Sequence, residues 1–150
     1  MWSDSIYLVE RAHLARLLAW GIGSALAGTA LVLLLLVMRR QLPLLRGFGI
    51  ATACVGILNV ALALNGLRRL DFRDLAAFTH FDRMLWMNVG LDFGYLATGA
   101  TLALCGWMLG RSQAAIGTGT ALLAQGVALL LLHANTLSSI SSLAVGSGGP

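Results

Sequence analysis

The sequence predicts an all-α fold, a four-transmembrane-helix antiparallel bundle. Three observations predict it: four long apolar runs, arginines grouped at their ends, and short connections between them. Hydrophobic residues make up 58% of the chain and charged residues 11%, and the mean hydropathy is +0.83. A soluble domain carries about 25% charged residues, so this composition belongs to an integral membrane protein. The net charge of +4 sits on arginines placed to meet lipid headgroups, which excludes nucleic acid as a partner and leaves the lipid bilayer.

The first span covers about residues 17–38 and stops at Arg39-Arg40, and Ser5 to Arg16 before it are expected to continue its helix into the headgroup region. Its 22 residues reach roughly 33 Å at 1.5 Å per residue, enough for a hydrocarbon core of about 30 Å. Ala25-Leu26-Ala27 has the form of a signal-peptide cleavage site, but Asp4 and Glu10 precede the run and it continues unbroken to Val37, so an uncleaved helix is expected.

The second span covers about 48–67, between Arg46 and Arg68-Arg69. The third covers about 85–109, and its Trp86 and Trp107 stand about 31 Å apart along a helix, the separation of the two aromatic belts. The fourth covers about 114–137, after a turn at Gly110-Arg111 and with Ser112 placed to cap it. These spans form one transmembrane domain, residues 1–137, followed by an uncharged Ser- and Gly-rich tail, residues 138–150, expected to be flexible.

The connection from Arg68 to Met84 mixes charges with Leu70, Phe72, Leu75, Phe78 and Phe81. Two readings stand: a short amphipathic helix along the interface, or a polar loop with lipid-facing aromatics. Six arginines fall on the side of the termini (Arg11, Arg16, Arg68, Arg69, Arg73, Arg83) and four on the other (Arg39, Arg40, Arg46, Arg111). That bias predicts both termini in the cytoplasm, in a bacterial inner membrane.

Asp92 is the one acid inside the runs, and an ionisable group at that depth costs at least a few kcal/mol unless it is paired. In the third span Asn88, Asp92, Tyr95 and Gly99 recur at helical spacing and share a face. Drawn antiparallel, the spans bring Asn59 and Asn65, Gln125, and His133 towards that face, with His133 or Arg16 as partners for Asp92. Gly21, Ser24 and Gly28 in the first span and the Gly90-x-x-x-Gly94 pair in the third are expected to admit close helix packing. Asp92 is thus expected about 10 Å below the terminal-side surface, in a half that is both polar and closely packed.

The same residues exclude much chemistry. The chain has no lysine, so Schiff-base mechanisms are out. Cys54 and Cys105 lie at similar depths and could be neighbours, but they lack the spacing of a zinc or redox motif, and no metal site is predicted. Haem held by two histidines needs both at matched depth; His133 is inside a run, whereas His13 and His80 fall at or outside the interface, so no cofactor is predicted. Hydrolase, metalloprotease, P-loop and dinucleotide signatures are absent, and no enzyme is expected.

The stretch Asn88-Val-Gly-Leu-Asp-Phe-Gly-Tyr95, with Gly56-Ile-Leu-Asn59 and Gln125-Gly126, resembles a family of small four-helix bacterial membrane proteins of unknown function. In that family the third helix reads N-x-G-L-D-x-G-Y, matched by Asn88, Gly90, Leu91, Asp92, Gly94 and Tyr95. The fourth reads Q-G, an apolar stretch and an acid; here Gln125 and Gly126 match, but His133 stands near the acid's place, against a paired-carboxylate site. The resemblance spans roughly residues 48–135 and implies no activity.

Small size, small-residue helix faces and scant extramembrane mass point to an accessory or scaffold subunit, bound to other membrane subunits or to its own copies. The alternatives are a small proton- or ion-coupled transporter or channel using Asp92, or a haem- or pigment-binding subunit.

Overall fold

The computed structural model describes residues 2–70 and 75–146. Four α-helices account for nearly all of them: α1 (Trp2–Val37), α2 (Pro43–Arg68), α3 (Leu75–Met108) and α4 (Gln113–Gly146). Each contains a stretch long and apolar enough to cross a membrane: Ile6–Val37, Pro43–Arg68, Phe81–Met108 and Gln113–Ser141. The chain is therefore a multi-pass, all-α membrane bundle.

α1 packs antiparallel on α2 and α3 on α4, and α4 joins the two pairs by lying against α2 and, less extensively, α1. α3 thus packs chiefly on one neighbour. It is also the least apolar of the four spans and has the smallest share of its residues buried.

Helix ends differ from the sequence reading because a hydropathy window averages over all faces of a helix. α1 starts at Trp2, so the residues before the first span do continue its helix, while α4 runs past the expected start of the tail at 138. Residues 147–150 of that tail lie outside the described residues. There is no separate interfacial helix in the described part of the connection; residues 75–84 are the opening turns of α3, while residues 71–74 lie outside the described ones.

The buried stripe of α1 is Ile6, Glu10, His13, Leu14, Leu17, Gly21, Ser24 and Gly28, a run of three- and four-residue steps. On α4 the stripe is Ala121, Gln125, Leu129, His133, Thr136 and Ile140. Leu17, Ala63 and Leu129 meet in the core with Tyr95 against them, and Phe81, Leu85 and Ile140 close the terminal end.

Glycines let backbones touch where the pairs cross. A Cβ on Gly28 would lie 2.5 Å from the Gly49 carbonyl oxygen, and one on Gly21 would lie 2.9 Å from that of Gly56. Across the other pair, Cβ atoms on Gly99 and Gly119 would lie 2.7 and 2.5 Å from each other's carbonyl oxygens. Side chains cannot fit at these distances, so glycine is required despite its cost of about 1 kcal/mol in a helix.

Gly90 and Gly94 do not share this role, since a Cβ on either would meet nothing within 4 Å. Each is two residues from Asp92, about 200° around the helix, so they face away from α4 when Asp92 faces it. The close-packed region is not confined to the half that holds Asp92: Gly47 lies against Ala114, Gly117 against Leu44 and Gly106 against Ile116.

Candidate functional site

The site forms where α1, α3 and α4 meet in the half of the bundle nearer the termini. Asp92 of α3 and His133 of α4 are 2% and 4% exposed, and the carboxylate Oδ2 lies 2.6 Å from the imidazole Nδ1. The pairing gives each a partner it could not find in lipid. Stripe geometry brings it about: Asp92 lies seven residues from both Leu85 and Gly99, the buried positions on either side of it in α3, while His133 follows Leu129 by one turn.

His133 has a second neighbour. The ring of His13, from α1, lies against it with centroids 5.2 Å apart and planes tilted by 43°. His13 is 3% exposed, and its Nδ1 is 2.9 Å from the Thr136 hydroxyl. That hydroxyl donates its proton to the Leu132 carbonyl at 3.1 Å. A hydroxyl has one proton to give, so with that proton on Leu132 the Thr136 oxygen accepts from an N–H on His13 Nδ1. Glu10, one turn before His13, is buried as well. Glu10, His13, His133 and Asp92 therefore form an inward succession of ionisable groups.

A neutral network lies next to it. The Trp20 indole N–H donates to Gln125 Oε1 at 2.8 Å, and Gln125 Nε2 donates to Ser24 Oγ at 3.1 Å. An indole nitrogen can only donate, which fixes the orientation of the amide. On α2, Asn59 and Thr52 are buried, yet Asn59 Nδ2 and Thr52 Oγ1 have no hydrogen-bond partner.

Of the residues read from the sequence, Asp92 and His133 meet directly, and Gln125 and Ser24 meet each other. Asn59 is buried on α2, and Asn88 and Tyr95 are half-buried on the flank of the Asp92 face. Asn65 is exposed and outside the cluster: six residues from Asn59 is about 240° around the helix. Cys54 and Cys105 both face outwards as free thiols on α2 and α3, not among the helix pairs in broad contact. Arg16 is exposed, whereas His133 is the partner of Asp92.

Sequence reasoning missed His13, Glu10, Thr136 and Trp20. His13 was placed at the surface because it precedes the apolar run. The signal that finds it is the stripe of three- and four-residue steps from Ile6 to Gly28, which carries it inwards. The matched depth that two haem-ligating histidines would need is therefore present, and the depth argument against haem does not hold. The two rings pack directly on each other, with each Nδ1 engaged elsewhere. Among the described residues no three His, Cys, Asp or Glu side chains group as a metal site.

A model of a family of unknown function, DUF6992, matches residues 16–134. No curated protein and no solved structure matches the chain.

Proposed function

This chain belongs to the DUF6992 family of unknown function, and we propose that it is a small proton-coupled membrane protein whose working group is the Asp92–His133 pair. One observation carries this reading: an acid and an imidazole 2.6 Å apart, both buried, with a second imidazole against the first. Fixing helix register needs only neutral amides, as Gln125 supplies between Trp20 and Ser24. Titratable groups placed deep in the bundle add the capacity to hold one proton more or fewer. With His13 Nδ1 donating to Thr136 and His133 Nδ1 facing Asp92, each ring keeps Nε2 as a second proton position. A proton taken up at His13 and handed to His133 would reach Asp92 without a charged intermediate in open lipid.

The protein works without catalysis of a bond-making reaction, in a bacterial inner membrane. The bias of six arginines against four supports cytoplasmic termini, and in that orientation the relay opens to the cytoplasm. Reconstituted vesicles carrying a trapped pH dye test the proposal: the intact chain supports a proton flux, and Asp92→Asn lowers it at least tenfold while the helical content is kept. Equal flux in the two proteins overturns it.

An accessory or scaffold role is the second reading, and α3 favours it. This least apolar span leaves Gly90 and Gly94 uncovered, a surface another helix could approach closely. Purification from native membranes in mild detergent separates the readings, because a scaffold subunit brings a stoichiometric partner or a second copy with it and a self-sufficient carrier migrates alone.

A further inference from the structure

We propose that the end of the bundle opposite the termini holds a specific site for one anionic phospholipid, its phosphate bound by Arg39, Arg40 and Arg46. The first observation is a cavity of about 670 Å³ between the end of α1 and the starts of α2 and α4. Its lining brings these three arginines together with the apolar Val32, Leu36 and Ile50 and contains no acidic residue. Cationic and apolar side chains lining one cavity complement a headgroup phosphate and the acyl chain attached to it.

The second observation is the distribution of charge. Along the sequence, none of the six acidic residues falls in the stretches 38–47 and 109–113, where α1 joins α2 and α3 joins α4. These stretches have Arg39, Arg40, Arg46 and Arg111 and no acid, so they carry the whole net charge of +4. The arginines of the cavity have no carboxylate in their own loops to pair with.

The third is the backbone around the cavity. α1 closes with Arg40 N–H donating to the Leu35 carbonyl at 3.0 Å and Arg39 N–H to that of Leu36 at 3.1 Å. This is a Schellman ending, in which the residue in the left-handed conformation is usually glycine. Here it is Arg39, at φ 51°, a strained choice for a residue with a Cβ. Across the cavity, α2 starts at Pro43 behind Leu42, and no side chain caps it. Its first turn therefore offers backbone N–H groups and the positive end of a helix dipole to an anion. α4, in contrast, has its own cap, Ala115 N–H donating to Ser112 Oγ at 3.4 Å.

The test uses the full chain, stripped of lipid in neutral detergent and then titrated with phosphatidylglycerol, phosphatidylcholine or inorganic phosphate, with bound lipid per chain counted by native mass spectrometry. One phosphatidylglycerol is expected to stay bound, and Arg39→Gln, Arg40→Gln or Arg46→Gln to weaken it roughly fivefold each. Arg111→Gln, at the same end but outside the lining, leaves retention unchanged. Ile50→Trp, which fills the apolar part of the lining and keeps every arginine, also lowers it. Equal retention of phosphatidylcholine overturns the proposal. So does an Arg111→Gln loss as large as that of Arg46→Gln, which would mean a diffuse surface attraction. Inorganic phosphate raising the melting temperature where phosphatidylglycerol does not would make this a free-anion site and overturn the lipid assignment.

Discussion

The two halves of the bundle are held together differently. Towards the arginine end, helices meet backbone to backbone, at Gly28 with Gly49, Gly99 with Gly119, and Gly47 with Ala114. Towards the termini they meet through polar side chains, Asp92 with His133 and His13 with Thr136. Lipid supplies no hydrophobic force between helices, so both halves depend on contacts that hydrocarbon cannot offer. Backbone contact is permanent. A polar contact between ionisable groups depends on where a proton sits, which makes the terminal half the one able to change with its surroundings.

The largest expected effect tests the permanent half. Gly119→Leu drives a side chain into Gly99 and Ala103 and should cost about 4 kcal/mol or more, read as loss of the folded fraction in mixed-micelle unfolding. His133→Leu comes next. It leaves Asp92 buried without its partner and should cost about 3 kcal/mol in the same assay. Replacing both residues by leucine should cost less than His133→Leu alone, because no unpaired acid remains. If the double variant is the less stable, the pair is a net stabiliser and the contrast between the halves weakens.

Smaller effects refine the comparison. Asn59→Leu removes a buried amide nitrogen that has no partner, and a gain of about 1 kcal/mol is expected on thermal unfolding. Arg111→Gln, exposed at the arginine end, should change stability by less than about 0.5 kcal/mol. A larger loss would show that this end relies on its charges as well as on its glycines.

The four helices and the place of Asp92 among them were legible because apolar length and a lone buried acid are strong signals. His133 was legible as a partner because it falls at a matching depth on an antiparallel neighbour. His13 was not, since averaging over a window hides one inward-facing polar residue among outward-facing charges such as Arg11 and Arg16. The GxxxG pair at Gly90 and Gly94 misled for a related reason: a motif gives spacing along a helix, while the direction of α4 decides which face is used. The arginine cavity could not be read at all, because it needs the ends of three helices brought together.

The pairing of α1 with α2 and of α3 with α4 has a consequence for biosynthesis. Each pair joins helices that follow one another in sequence and has close glycine contacts of its own, so the first hairpin can close before the second has left the ribosome. α4 must then find the groove of a finished hairpin, carrying α3 on its far side. Cutting the chain between residues 70 and 75 would leave two hairpins, each able to insert by itself, whose reunion on the α4 surface restores the contact of His13 with His133. Two genes encoding the halves should therefore complement one another.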